Sequence, residues 1–190
     1  MPELPEAEVV ARQLRVHLLG AQLNECWVGR ADIVREGLPT LSWYYGAVLE
    51  GVERYGKSVA LGFKKEDELR YVVAELGMTG LLLFRATQTK YPQHVHVRMS
   101  FTGGRESELR YWNPRRFGRL SLLDRAGLDR YRARRFGVDP LTVPRDEFVR
   151  LMQVRRGRLK PLLMHQQVIA GIGNIYANEI LFRARLHPNR

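Results

Sequence analysis

Pro2 is the first position in this chain with distinctive chemistry. A small residue after an initiator methionine is normally exposed by removal of that methionine, which here leaves a secondary amine as the terminus. An α-amino group titrates near ~8, so a useful fraction is unprotonated at neutral pH and can attack a sugar C1′ to form an iminium. Glu3 follows immediately. A carboxyl beside the nucleophile and the departing base can protonate an opened sugar or shuttle protons in an elimination. On the opening hexapeptide alone, Pro2 and Pro5 could equally do no more than stiffen the start of a helix. Lys57, in Tyr55-Gly56-Lys57-Ser58, sits at a turn leading into a strand and by itself reads as a surface lysine.

Three further segments carry residue types suited to nucleic acid. In Trp112-Asn113-Pro114-Arg115-Arg116-Phe117-Gly118 a strand ends in a proline-turned loop with two cations and an aromatic ring. Arg can replace the hydrogen bonds of an orphaned base while Phe wedges into the stack, against an unstacking cost of roughly a few kcal/mol. Met78, framed by glycines in Leu76-Gly77-Met78-Thr79-Gly80, is a second candidate wedge. A methionine there could also be a core filler, and the Pro-Arg-Arg loop plain surface. The third segment, Ile169-Ala170-Gly171-Ile172-Gly173-Asn174-Ile175-Tyr176, is a glycine-rich turn opening into a helix. Its backbone N–H groups could approach a phosphate, with Asn174 as helix cap and the helix N-terminus adding positive potential. No Gly-Lys-Ser/Thr follows, as a P-loop would need, and a plain helix connection is the competing reading.

These segments need elements to hold them. Pro5 to Leu19 has Val9, Val10, Leu14, Leu18 and Leu19 at helical spacing and stops at Gly20, which predicts an amphipathic helix. From Ala21 to about Leu123 short runs rich in Val, Leu, Tyr and Trp alternate with turn residues: 47–52, 58–63, 69–76, 94–101, 109–112 and 119–122. They predict an antiparallel sandwich or barrel. Beyond Asp124 helical spacing returns near 124–132, 145–152, 158–166 and 174–186. The expected class is therefore α+β: an N-terminal helix with an antiparallel β-sandwich over 1–123, then a helical domain over 124–190.

Charge narrows the partner. The chain of 190 residues is long enough for a real core. With 31 basic and 20 acidic residues it carries +11, at a pI near 10.3, which calls for a polyanion. Twenty-six of the basic residues are Arg, and eight fall between Arg115 and Arg135 against two Asp. Arg suits phosphate through its planar fork, so nucleic acid leads over a membrane surface. Apolar runs such as Leu81 to Phe84 are far shorter than the roughly 18 residues of a bilayer span. The acidic opening is unlike a secretory signal, which points to the cytoplasm. Cys26 alone permits neither an internal disulfide nor a thiolate-rich zinc site.

In combination and in order, Pro2-Glu3-Leu4-Pro5-Glu6, Lys57, Leu76-Gly77-Met78-Thr79-Gly80, Pro114-Arg115-Arg116-Phe117-Gly118 and Gly171-Ile172-Gly173-Asn174-Ile175-Tyr176 resemble the bacterial formamidopyrimidine-DNA glycosylase family. The resemblance implies a monomeric base-excision repair enzyme on double-stranded DNA. It would release oxidised purines, chiefly 8-oxoguanine and formamidopyrimidines, and cut the abasic strand by β- and δ-elimination. It further implies Pro2 as nucleophile, Glu3 as acid and proton shuttle, and Lys57 as a phosphate-binding lysine that assists the chemistry. Met78, Arg115 and Phe117 would fill the gap left by the flipped nucleotide, with Glu6 near the lesion base. Asn174, Tyr176 and Lys160 would hold flanking phosphates within a helix-two-turn-helix element, and His94 would contact DNA. The endonuclease VIII branch, with its Pro-Glu-Gly-Pro start, fits less well.

The chain departs from the family pattern at Glu75, where a cation or His is usual, at Asn113, where Asp is common, and at His165, which replaces an Asp. His94 and His96 could also form a surface pair on one strand face. The family continues past His187-Pro188 into further helices and a four-cysteine zinc finger, so no cofactor is expected within these residues, the helical domain is expected to be partial, and lyase activity is expected to survive better than base excision. A damaged-DNA-binding module without catalysis is the alternative. An RNA-associated basic protein would explain the charge but not the Pro2-Glu3 opening.

Overall fold

The computed structural model describes residues 2–89 and 91–188. Its first element, helix α1 (Leu4–Leu18), starts from Glu3 through a reciprocal cap: the Glu3 N–H donates to Glu6 Oε2 at 2.9 Å, and the Glu3 side chain accepts from the Glu6 N–H. The face that α1 buries is Leu4, Ala7, Ala11, Leu14 and Leu18. This corrects the expected stripe, since Val9 and Leu19 are exposed and Val10 is half-buried. Alanines at 7 and 11 let the helix backbone lie close to the sheet, which larger side chains would prevent.

Nine strands form one hydrogen-bonded sheet: β1 (Gln22–Val28), β2 (Val34–Glu36), β3 (Val48–Tyr55), β4 (Ser58–Lys65), β5 (Glu68–Glu75), β6 (Leu81–Phe84), β7 (Val95–Thr102), β8 (Glu108–Trp112) and β9 (Leu120–Asp124). Their order is β2-β9-β5-β4-β3-β1-β7-β8-β6. Neighbours are antiparallel except β2 and β9, which run parallel. β1 meets β3 at one residue pair, Gln22 with Val48, but follows β7 along its length. The sheet folds over at that narrow junction, so that Phe63 of β4 stacks on Phe101 of β7 with ring centroids 6.4 Å apart. The result is the expected two-layered antiparallel sandwich, with the buried face of α1 in its main core.

The expected strands are present, and β1, β2 and β6 are additional. A bulge between Leu23 and Glu25 breaks the alternation of β1, β2 has three residues, and β6 is an unalternating Leu-Leu-Leu-Phe. β4 is buried on both faces because helix α2 (Arg125–Arg135) covers the outside of the sheet, where Leu128 and Tyr131 pack on Ala60, Tyr71 and Val73. Asp124 caps α2 by accepting from the Gly127 N–H at 2.6 Å.

Helices α3 (Arg145–Gln153), α4 (Leu159–Met164) and α5 (Asn174–Ala184) enclose a separate small core of Leu163, Val168, Ile169, Ile172, Ala177 and Leu181. The helix expected over 158–166 ends at Met164 because Gln166 turns inward to serve the glycine turn. No helix among the described residues is long and apolar enough to cross a membrane.

Candidate active site and nucleic-acid interface

Glu3 is fully buried, and its carboxylate sits on the N-terminus of α5, 170 residues away in sequence. Oε2 accepts from the N–H groups of Gly173 at 2.9 Å and Tyr176 at 3.1 Å, and Oε1 from that of Ile175 at 3.0 Å. The Leu4 N–H adds a bond to the Gly171 carbonyl at 3.0 Å. The anion-attracting helix terminus read from the glycine turn is therefore real, but its anion is the chain's own Glu3 carboxylate rather than a phosphate. Gly173 makes the approach possible: a Cβ there would lie 2.3 Å from the Glu3 carboxyl carbon. Gly173 is also the N-cap, and Asn174 is the first helical residue, which corrects the capping role expected for Asn174.

Gln166 fixes the turn from the other side. Its Nε2 donates to the carbonyls of Met164 and Ile172, each at 2.8 Å, and its Oε1 accepts from the Gly171 N–H at 2.9 Å. Sequence reasoning passed over this residue, for which a polar side chain just before a glycine turn was the one signal. Pro2, buried beside Glu3, is thus carried by a segment tied to both halves of the molecule. Met1, whose removal its chemistry requires, lies outside the described residues.

Lys57 occupies the two-residue hairpin loop between β3 and β4, closed by the Tyr55–Ser58 pair. It is half-buried, and burial pushes its ammonium below the ordinary lysine value, against the opposing pull of the Glu3 carboxylate. Lys57 lines a cleft of about 330 Å³ together with Glu75, Gly77, Arg134, Arg135 and Gln166, between the sheet and the helices. Just before the hairpin, Arg54 is almost completely buried and joins three parts of the site. It donates to Glu8 of α1 at 2.9 Å, to the Gly56 carbonyl at 3.1 Å, and to Asp139 in the segment leading to the helices.

The Gly77–Gly80 and Pro114–Gly118 loops are clamped together. A Cβ on Gly77, whose φ is +60°, would lie 2.5 Å from the Gly118 backbone nitrogen, so only glycine allows this contact. Asn113, fully buried, holds both loops. Its Nδ2 donates to the Tyr111 hydroxyl at 3.0 Å and the Gly118 carbonyl at 3.2 Å, while its Oδ1 accepts from the Arg116 N–H at 3.0 Å and the Thr79 hydroxyl at 3.3 Å. A carboxylate could make only the accepting half of this set. Met78 and Phe117 are left exposed at 38% and 57%, with the Arg115 guanidinium 5.0 Å over the Phe117 ring. Two apolar tips and a cation are thus carried on two loops that are bound to each other.

The remaining candidates are dispersed. Glu6 is exposed, but its carboxylate is engaged in capping Glu3. Tyr176 and Asn174 present exposed side chains on the first turn of α5, and Lys160 is half-buried on α4. His94 lies in a 3-10 turn before β7, between the Tyr91 and Trp112 rings. His96 is buried and bonded to the Asn113 carbonyl at 3.0 Å, so the alternative of a surface pair with His94 does not hold. Burial pushes the His96 imidazole below its ordinary value, against that bond. At Glu75, where the family pattern has a cation or His, ion pairs to Arg35 and Arg135 occupy the carboxylate.

The pattern of the formamidopyrimidine-DNA glycosylase N-terminal domain matches residues 1–120, and that of the formamidopyrimidine-DNA glycosylase H2TH domain matches residues 136–190. The chain is 36% identical over 197 residues to the formamidopyrimidine-DNA glycosylase of Herpetosiphon aurantiacus, covering 100% of this chain and 69% of that one. It is 38% identical over 207 residues to that of Thermomicrobium roseum, covering 100% and 70%. Among solved structures, the MutM (Fpg) protein from Thermus thermophilus superposes with a TM-score of 0.81 at 34% identity, covering all of this chain and 66% of that one. The Lactococcus lactis Fpg in complex with DNA containing Fapy-dG superposes at 0.83 and 27% identity, covering 99% and 70%.

Proposed function

Because the chain belongs to the formamidopyrimidine-DNA glycosylase family, we propose that it acts as a cytoplasmic monomer on double-stranded DNA in base-excision repair. It releases oxidised purines, 8-oxoguanine and formamidopyrimidines, and then cleaves the abasic strand. The observation that supports this most is the anchoring of Glu3, and with it Pro2, onto α5 next to the Lys57 cleft.

The Pro2 amine attacks C1′. The glycosidic bond breaks with its electron pair going to the base, which takes up a proton, and opening of the sugar leaves an iminium between C1′ and the proline nitrogen. Loss of a C2′ proton expels the 3′ phosphate, and loss of the C4′ proton then expels the 5′ phosphate. Hydrolysis frees the amine. The secondary amine and the side chains suffice for these steps without a cofactor.

Glu3 supplies first a fixed negative charge beside the cationic iminium and Lys57. Its lone pairs are occupied by backbone donors, so a proton-shuttle role requires one of these bonds to open. Lys57 draws a phosphate toward the sugar. Met78, Arg115 and Phe117 fill the space of the extruded nucleotide, and Asn174, Tyr176, Lys160 and His94 contact the backbone through side chains.

The second reading, a DNA-damage-binding module without catalysis, is favoured by the same anchor, because a Glu3 engaged by backbone amides serves as a domain tie whether or not chemistry occurs. One preparation assayed on an 8-oxoguanine duplex and on an abasic duplex decides between them. Base release with strand cleavage supports the enzyme. Tight, lesion-selective binding with neither product supports the module.

A further inference from the structure

Glu75, at the C-terminal end of β5, is the meeting point of several guanidinium groups. Arg35 of β2 donates to both carboxylate oxygens in a fork, at 3.0 and 3.2 Å. Arg135, the last residue of α2, reaches Oε1 at 3.1 Å, and the Tyr131 hydroxyl donates to the same oxygen at 3.3 Å. Arg119 is close enough to act on the same charge. The carboxylate is 14% exposed, whereas the Arg35 and Arg135 side chains are each 39% exposed. One sunken negative charge therefore supports a more exposed layer of positive charge that outnumbers it.

Each guanidinium has five N–H donors, of which Glu75 takes two from Arg35, while Arg135 stands at ion-pair distance from the same carboxylate. Both cations reach one oxygen and so stand close to each other, where their mutual repulsion is relieved by an external anion that bridges them. The cluster also adjoins the loops and the cleft that the DNA-repair reading assigns to DNA. The Glu75 N–H bonds the Arg119 carbonyl at 2.8 Å, joining the strands that lead to and from the two wedge loops. The Tyr131 hydroxyl bonds Ser58, next to Lys57, at 3.1 Å, and Glu75 and Arg135 line the Lys57 cleft.

We propose that Arg35 and Arg135, held side by side by Glu75, bind one phosphate of the DNA backbone beside the Lys57 cleft. This rests on the DNA-repair reading above and assigns it residues from β2 and α2. The N–H donors that Glu75 leaves free suit a phosphodiester's two free oxygens, and Glu75 holds both guanidinium groups in place before the strand arrives.

The test is the salt dependence of equilibrium binding to a duplex carrying a tetrahydrofuran abasic analogue. Each neutralised phosphate contributes about 0.9 to the slope of log K against log salt. Arg35→Ala and Arg135→Ala should each make the slope shallower by about 0.9, and the double variant by no more than either single one, because the lost phosphate is the same. Arg35→Lys and Arg135→Lys should retain the slope, and Arg12→Ala, an exposed cation on α1, should leave it unchanged. Wild-type slopes in both alanine variants, or additive loss in the double variant, would overturn the shared site while leaving DNA binding intact. A salt-independent wild type would instead remove the DNA reading itself. If Arg135→Ala does not fold, Arg35→Ala alone against Arg35→Lys carries the same comparison.

Discussion

The Glu3 carboxylate and the Gly173 backbone N–H meet at 2.9 Å across the boundary between the sheet and the final helices. That contact ties Glu3, the neighbour of Pro2, to the N-terminus of α5. It makes the position of Pro2 depend on the packing of two cores that are otherwise separate.

Gly173→Ala should therefore damage chemistry more than binding. The new Cβ would land 2.3 Å from the Glu3 carboxyl carbon, and forced overpacking of this kind costs about 2 kcal/mol, or a Tm lower by roughly 4–8 °C at this chain length. Displacing the nucleophile by ~1 Å can cost ~100-fold in rate, so single-turnover cleavage of abasic DNA should fall at least ~10-fold below the melting range. Unchanged cleavage with a lowered Tm would show that the tie does not position Pro2.

Arg54→Ala should be among the most destabilising changes outside the apolar core, since it leaves Glu8 and Asp139 without their shared partner. Breaking a buried pair costs about 3 kcal/mol or more, a Tm loss of roughly 6–12 °C. Burial raises the Glu8 carboxyl, but bonds from Arg12 and Arg54 outweigh that and hold it below the ordinary value. Its contribution is therefore present above the ordinary carboxylate range and is lost as pH falls through the lowered value. Acid melts should accordingly show a smaller difference between variant and wild type than neutral ones.

Asn113→Ala removes hydrogen bonds that hold Gly77–Gly80 against Pro114–Gly118 and leaves buried donors and acceptors unpaired, at about 1–3 kcal/mol. Base extrusion should suffer while affinity for undamaged duplex is spared. A 2-aminopurine placed beside the lesion should lose most of its fluorescence rise on binding, and an undiminished rise would separate the clamp from extrusion.

Lys57→Met should raise the Tm at neutral pH while abolishing most lyase activity. Burial lowers the lysine's value in the folded state, so the unfolded chain binds more protons between the lowered value and the ordinary one. Stability of the wild type therefore rises with pH across that window. The advantage of the variant should shrink as pH climbs through it, and thermal melts from neutral to strongly alkaline pH would detect the convergence.

The class of the fold was legible because long features announce themselves: a prolyl helix start, alternating strands from Val48 onward, and helical spacing after Asp124. The short or bulged strands β1, β2 and β6 were not, because their pairing comes from neighbours distant in sequence. At the site, the exposed apolar tips Met78 and Phe117 stand on the loops that residue type singled out, whereas Lys57 by itself reads as a surface lysine and only the fold sets it in a cleft. The Glu3 anchor could not be read: one glycine-rich turn suits a phosphate or a carboxylate equally, and only the fold brings residue 3 to residue 173. Asn113 and Gln166 were hidden for the same reason, since a buried amide's partners are backbone groups that any sequence possesses.

Trapping the Pro2 iminium with borohydride on abasic DNA tests the mechanism most directly. Protein lacking Met1 should form a covalent complex, Pro2→Gly should form less, and a form retaining Met1 should form almost none. Equal trapping by all three would place the nucleophile elsewhere and contradict the assignment of Pro2.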